Sequence, residues 1–276
     1  TQTLIFMQYD PIKKSLGNVF NKSPFLRKLF YRLLDLLLLR SWHIRRELRA
    51  WKAPASPVIL DAGSGFGQYS YRMARLFPNA LIKAVDVKQE QITDCNQFFL
   101  KTGLNNRVIF EKADLTKYIE ENQFDLILSV DVMEHIEEDV LVFKNFYSSL
   151  TKNGMLLIST PSDMGGSDSH DHDQNEVSGF IDEHVRDGYN IEDIKDKLRS
   201  VGFSKVSARY QYGTAGKISW VLSMKFPIMM LGMTKLFFII LPFYYLIAYP
   251  ISALLNWIDV TANHKSGTGL IVTATK

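Results

Sequence analysis

Three small clusters of residues in this sequence have types and spacing that could do chemistry. The first is Asp61-Ala62-Gly63-Ser64-Gly65-Phe66-Gly67, which follows the apolar run Val58-Ile59-Leu60. Glycines in such a turn let the backbone approach a ligand where a Cβ would collide. A helix opening at about Gln68 would turn its free N–H groups and positive dipole end toward that ligand. Dinucleotide-binding turns favour G-x-G-x-x-G, because a pyrophosphate rests on the helix end. Here the spacing is G-x-G-x-G, and a carboxylate, Asp61, stands just before it. That carboxylate would repel a diphosphate and attract a cation such as a ligand ammonium. The second cluster is Asp86 with its neighbour Val87, 25 residues beyond Asp61. A carboxylate there can accept hydrogen bonds from both hydroxyls of a ribose. The third is Glu134-His135, where an imidazole titrating near neutrality suits the removal of a proton from a hydroxyl or phenol. Further on, Ser167 to Asp173 alternates His and Asp, and Asp182-Glu183-His184-Val185-Arg186 follows. His184 and Arg186 are candidates for substrate contact or for sharing the base role. No ligand spacing fixes a metal there, and none is expected.

These residues must be held by regular elements, and the pattern supplies them. From Pro57, strand and helix signals alternate. Strands are expected at Val58 to Leu60, Leu81 to Val85, Arg107 to Glu111, Phe124 to Val130, Met155 to Thr160, Phe203 to Tyr212 and Gly269 to Thr275. Helices are expected from Gln68 to Phe77, Gln89 to Lys101, Ile136 to Leu150 and Ile191 to Ser200. Such alternation indicates right-handed βαβ crossovers and a parallel sheet. It puts Asp61 and Asp86 at strand ends, and Glu134-His135 just past the fourth strand. That is the carboxyl edge, where ligands bind in open α/β sheets.

A ligand with a ribose, an α-amino group and no phosphate is S-adenosylmethionine. At this point the sequence resembles the class I S-adenosylmethionine-dependent methyltransferases, from about Val58 to Tyr212 and again at the last strand. Ile59 to Gly67 is similar to their first motif, Ala84-Val85-Asp86 to the second, and Lys112-Ala113-Asp114-Leu115 to the third. Ser129-Val130-Asp131-Val132-Met133-Glu134-His135-Ile136 is similar to the fourth-strand motif of the ubiquinone-biosynthesis type O-methyltransferases. The resemblance implies a Rossmann-like α/β fold with seven strands, mostly parallel and the last antiparallel, and helices on both faces. It also implies that Asp114 accepts from the adenine amino group, with Ala113 or Leu115 against the ring. Asp61, Gly63, Ser64, Gly65, Gly67, Asp86, Val87, Ser129 and Asp131 would complete the cofactor site, and His135 with Glu134 would act on the acceptor. Two alternatives share the scaffold. Cyclopropane-fatty-acid-type lipid modification uses a similar Glu-His, but such enzymes usually carry Cys where Ser64 stands and His where Pro161 stands. A non-catalytic membrane-associated module is opposed by the intact Asp61, glycines, Asp86 and Asp114.

Composition narrows the classes further. With 276 residues, 46% hydrophobic and 22% charged, 16 Gly and one Cys, the chain is neither disordered, collagen-like nor disulfide-stapled. Cys95 alone fits a reducing compartment. The residues ahead of Met7 are expected to be leader, and Leu4 to Met7 is too short for the apolar core of a signal peptide. A net charge of +3 hides an asymmetry, for residues 1–52 hold eleven Lys/Arg against three acids. Leu26, Leu29, Phe30, Leu33, Leu37, Ile44 and Leu48 recur at helical spacing among those charges, so one basic amphipathic helix is predicted over 24–52, with Trp42 as an interfacial side chain. From Leu236 to Ile258 there is no charged residue. At about 1.5 Å per residue that run could cross a hydrocarbon core of about 30 Å. Pro242 and Pro250 would each remove a helical hydrogen bond, however. The last strand must also rejoin the sheet, so a re-entrant or surface-lying helical hairpin is expected. The organisation read is therefore 1–56 basic helical segment, 57–212 cofactor-binding core, 213–263 hydrophobic insertion and 264–276 final strand. The basic charges are interleaved with leucines rather than stacking aromatics, so nucleic acid is not the expected partner. The expectation is a cytoplasmic methyltransferase, peripheral on the inner face of a membrane of anionic lipids. Its acceptor would be lipophilic, such as a lipid, quinone or polyene precursor, entering through an apolar vestibule made by 24–52 and the insertion.

Overall fold

Short apolar runs bounded by glycine, proline and polar turns become the strands of a seven-stranded sheet. In the computed structural model these are β1 (Val58–Ala62), β2 (Leu81–Asp86), β3 (Val108–Lys112), β4 (Phe124–Val130), β5 (Leu150–Pro161), β6 (Ser204–Gln211) and β7 (Gly269–Thr275). The structure describes residues 23–165, 185–234 and 236–276. They divide into a sheet unit (Glu47–Gly165, 185–210 and Thr268–Lys276) and a helical unit (23–46 and 211–267 without 235).

The strand order is β3-β2-β1-β4-β5-β7-β6. β1 to β5 pair in parallel, and β7 runs antiparallel to β5 from Met155↔Thr275 to Pro161↔Gly269. α3 (Gln68–Leu76), α4 (Gln89–Lys101), α5 (Asp139–Ser149) and α6 (Ile191–Ser200) lie around it. The central strand β4 is apolar because both its faces are covered. Leu126, Ile127 and Leu128 are fully buried, and Ile127 shares one core cluster with Phe143, Phe146, Leu156 and Val272. β5 starts five residues earlier than the expected Met155. Asn153 adopts a left-handed φ of 66°, and this irregularity lets Leu150 pair with Phe124 before pairing resumes at Leu126↔Met155. The segment after β4 opens as a 3-10 turn, Met133–His135, so α5 starts at Asp139 rather than Ile136.

In the helical unit the expected single helix over 24–52 is two. α1 (Pro24–Leu37) and α2 (Leu39–Ala50) are separated at Leu38, which is extended (φ −84°, ψ 114°). No proline or glycine marks the break. Trp42 accounts for it, since its indole N–H donates to the Leu36 carbonyl at 3.0 Å and satisfies one of the groups freed at the end of α1. Trp42 is half-buried. The insertion is a hairpin. α7 (Thr214–Trp220), a π-helical turn (Val221–Lys225) and α8 (Phe226–Met233) make one arm; α9 (Phe237–Thr261) makes the other and continues through Pro242 and Pro250. Ser219 Oγ donates to Asn256 Oδ1 at 2.7 Å and the Tyr244 hydroxyl to the Leu222 carbonyl at 2.7 Å, so the arms run antiparallel. At the hairpin base Asp259 is fully buried. Its Oδ1 meets His43 Nε2 at 2.9 Å, its Oδ2 meets His264 Nε2 at 3.2 Å, and the Tyr212 and Gly216 N–H groups donate to it.

Candidate functional site

The candidate site lies in the sheet unit, where register aligns the carboxyl ends of four strands. Ala62 pairs with Val85 on one side and Ser129 on the other, and Asp86 pairs with Lys112. Asp61, Asp86, Ala113 to Leu115 and Ser129 to His135 therefore leave the sheet along one edge.

β1 turns into the glycine loop, and the loop is laced to β2. The N–H groups of Gly63 and Ser64 both donate to the Val85 carbonyl at 2.9 Å. Gly63 has φ +80°, and a Cβ on it would lie 2.2 Å from Val132 Cγ2. No other residue fits there. At Gly65 (φ +51°) a Cβ would meet nothing closer than Gln91 Oε1 at 4.0 Å, so this part of the loop faces open space. Gly67 precedes α3, whose N-terminal turn carries Ser70.

Asp61 is buried and accepts a hydrogen bond from the Ser70 hydroxyl. Burial pushes its carboxyl up to about 7; the Ser70 bond opposes that rise and the nearby Asp86 adds to it. Such a group near half-ionisation welcomes a cation. Asp86 accepts from Gly65 N–H through Oδ2 and from Lys88 N–H through Oδ1, each at 2.9 Å. A carboxylate has about four acceptor positions, so both oxygens keep capacity for a ligand diol. Val87 beside it is exposed. Ala113 N–H donates to the Asp86 carbonyl at 3.0 Å, Leu115 is buried, and Asp114 stands exposed between them. The hydroxyl and N–H of Thr116 reach Asp114 Oδ1 at 2.7 and 3.0 Å and hold the carboxyl below its ordinary value.

Two hydroxyls ask for a partner from outside the chain. Ser64 Oγ and Ser129 Oγ are buried and make no hydrogen bond, a state that costs stability unless something completes it. With the open glycine, Asp61 and Asp86, they fit a ligand rich in hydroxyls and carrying positive charge. A diphosphate would face two carboxylates.

Beyond β4, Asp131 is left-handed (φ 51°), and its N–H donates to the Ser159 carbonyl at 2.9 Å. That turn brings Val132 against Gly63. The Glu-His pair is then divided. Glu134 is buried, and Thr160 Oγ1 donates to its Oε2 at 3.1 Å. His135 is only half-buried. His184 and the Ser167 to Asp173 stretch lie outside the described residues. Arg186 does not stand free for substrate as the sequence suggested. Its guanidinium bonds Asp139 and Tyr189, and it donates to the carbonyls of Ile136 (2.8 Å) and Glu137 (3.1 Å). Val185 N–H donates to the Glu134 carbonyl at 3.1 Å. Asp139 also receives Lys197 at 3.0 Å. Burial would raise its carboxyl, but bonds from Lys197 and Tyr189 and the charge of Arg186 bring it below the ordinary value. This clamp holds the turn that carries Glu134 and His135. Nothing local in the sequence signals it, because Arg186 and Asp139 are 47 residues apart. Ser70 and Thr160 were likewise missed, though a serine on the first turn after a glycine loop is a usable signal. Among the described residues no group of three His, Cys, Asp or Glu side chains could hold a metal ion.

Comparison with known proteins agrees with this geometry. Residues 55–204, more than half of the chain, match the family described as a methyltransferase domain. The chain is 30% identical over 158 residues to phosphoethanolamine N-methyltransferase 1 of Triticum aestivum, covering 56% of this chain and 30% of that protein. It is 28% identical over 102 residues to malonyl-[acyl-carrier protein] O-methyltransferase 1 of Ilyobacter polytropus, 37% of each. The chain thus spans well under half the length of either relative. Among solved structures, phosphoethanolamine N-methyltransferase 2 of Haemonchus contortus, in complex with S-adenosyl-L-methionine, superposes with a TM-score of 0.59 at 18% identity, over 85% of this chain and 52% of that one. The [4+2]-cyclase SpnF superposes with a TM-score of 0.55 at 18% identity, over 86% and 81%. These two likenesses concern the fold. Matched over most of its sheet unit, and carrying a loop that favours a cationic nucleoside over a diphosphate, the chain belongs to the class I S-adenosylmethionine-dependent methyltransferases.

Proposed function

We propose that this methyltransferase acts on a lipophilic, membrane-resident acceptor: a hydroxyl or phenol of a lipid, quinone or polyene precursor. The observation that carries the reading is the apolar surface of the helical unit. Phe243, Leu246 and Ile247 of α9 are 67%, 73% and 74% exposed, where water-soluble monomers rarely keep a large apolar patch. Among the described residues α9 is the one helix long and apolar enough to cross a bilayer, and little of it is buried. The protein would work peripherally on the cytoplasmic face of an anionic membrane.

In this reading Asp61 faces the cofactor's positive charge, Asp86 its ribose and Asp114 its adenine, with Ala113, Leu115 and Val87 against the ring. The Ser64 and Ser129 hydroxyls find their partners on it. S-Adenosylmethionine, when bound, supplies an activated methyl group. The chain's work is then to align the acceptor, exclude water and take a proton. His135 accepts the acceptor's hydroxyl proton at a ring nitrogen. Glu134, tied to Thr160, and Arg186, clamped on Ile136 and Glu137, fix the turn that aims the imidazole.

A second reading, N-methylation of an ethanolamine-type amine, is favoured by the relatives named phosphoethanolamine N-methyltransferase. Incubation with methyl-tritiated S-adenosylmethionine and a membrane lipid extract separates the two. Label is expected in the organic phase, and it should vanish with His135→Ala. Label found only in water, with phosphoethanolamine as acceptor, would replace the first reading by the second.

A further inference from the structure

Helix α1 leaves an apolar row exposed while its two most deeply buried side chains carry polar groups. Its buried side carries Arg27 and Tyr31, joined by a 2.7 Å hydrogen bond from Arg27 Nε to the Tyr31 hydroxyl. Phe25, Leu29, Leu33 and Leu36, at helical spacing, are exposed. A helix packed on its own core presents the opposite faces. In the same unit α9 shows an exposed stripe at helical spacing too, through Ile239, Phe243, Leu246 and Leu254.

We propose that α1 and the α7–α9 hairpin form one docking surface for an anionic bilayer, with both apolar stripes in the hydrocarbon and the hairpin tip entering first. This rests on the membrane reading above and names its surface and mode of insertion. Three observations select lipid over a protein partner. The first is length: the uncharged run from Leu236 to Ile258 spans about 35 Å as a helix, close to the thickness of a hydrocarbon core. The second is backbone satisfaction. Pro227 has no N–H for the turn before it, and the π-helical turn shifts the hydrogen-bond register there. The hydroxyls of Tyr244 and Tyr245 donate at 2.7 Å to the carbonyls of Leu222 and Ser223. Water would do this at an ordinary surface; in hydrocarbon the chain must do it internally. The third is charge and aromatic placement. Lys217 and Lys225 on the first arm and Arg32 on α1 are exposed, and residues 1–52 carry the basic excess, which complements anionic headgroups. Trp220 and Trp257 are exposed and level with each other across the Ser219–Asn256 bond, a pair suited to the interface. Both hairpin ends continue into strands of one sheet, so the hairpin enters and leaves on the same side.

Co-sedimentation with vesicles of phosphatidylcholine, with and without phosphatidylglycerol, tests this. The protein is expected to sediment with the anionic vesicles and to be partly released by salt. Phe243→Glu with Leu246→Glu, and separately Leu29→Glu with Leu33→Glu, should each weaken vesicle binding about tenfold or more, with unchanged helical circular dichroism and an unchanged melting temperature as the folding control. A Phe243→Trp variant should be quenched by lipids brominated deep in the acyl chain. Wild-type vesicle binding by the α1 pair variant would overturn the proposal while leaving a membrane reading intact. Protein that ignores vesicles and scatters light as a dimer would overturn it in favour of a second copy on this face. Methylation of detergent-dispersed lipid reports on the acceptor separately from either result.

Discussion

The two units distribute their side chains in opposite ways. In the sheet unit Phe124, Leu126, Ile127 and Leu128 of β4 are sealed inside, and the chemistry-bearing groups collect at the strand ends. In the helical unit Arg27, Tyr31, His43 and Asp259 are inside, while Leu29, Leu33, Phe243 and Leu246 face out. The sheet unit follows the hydrophobic effect in water. The helical unit has placed much of its apolar surface where it gains nothing from water, and its interior is stitched by hydrogen bonds and by the buried His43–Asp259 pair, with the partly buried His264 beside it. Polar interiors of this kind give positional definition, and they penalise the removal of any one member.

The contrast can be broken first at the chemistry. His135→Ala should lower methyl transfer by about 10²–10⁴-fold if its imidazole is the base, with S-adenosylhomocysteine affinity close to wild type by calorimetry; an unchanged rate would take His135 out of the mechanism. Next, Asp259→Ala should leave His43 and two N–H groups without their acceptor and cost about 3–5 kcal/mol in denaturant unfolding, whereas cofactor binding by the sheet unit should survive. Loss of both together would deny the units separate roles. Gly63→Ala forces a Cβ onto Val132 at a left-handed φ, with an expected cost of about 1–3 kcal/mol and weaker cofactor binding, read by thermal melts and calorimetry.

The smallest effect concerns pH. The folded Asp61 carboxyl sits near 7, above its ordinary 3.8. A raised acid favours the folded state while it is protonated, so that contribution is complete below about pH 4 and is lost as pH rises toward 7. Asp61→Asn should flatten this decline and leave the variant more stable than wild type above neutrality, at the expense of cofactor affinity. A variant that melts in parallel with wild type at every pH would show that Asp61 is not held neutral by burial.

Much of the sheet unit was legible because its signals are local. Gln89–Lys101, Phe124–Val130, Ile191–Ser200 and Gly269–Thr275 have the bounds their periodicity indicates, and the glycine loop sits between strand and helix as its spacing requires. What escaped depends on contacts between distant residues. The Arg186 clamp joins parts of the chain that no motif links, and the break at Leu38 is stabilised by Trp42 rather than marked by a breaker. The helical period of α1 was correct, but period alone does not say which face turns inward. Here the inward face carries Arg27 and Tyr31, which are buried and bonded to each other.

The division of labour is tested most directly by one rate comparison. Tritiated methyl transfer into lipid extract would be measured with the extract in anionic vesicles and in detergent micelles, for wild type and for Phe243→Glu with Leu246→Glu. The variant should lose most of its rate on vesicles and keep it in micelles, because its sheet unit is untouched. Equal rates on vesicles, or equal loss in both, would contradict a docking unit that serves a separate catalytic one.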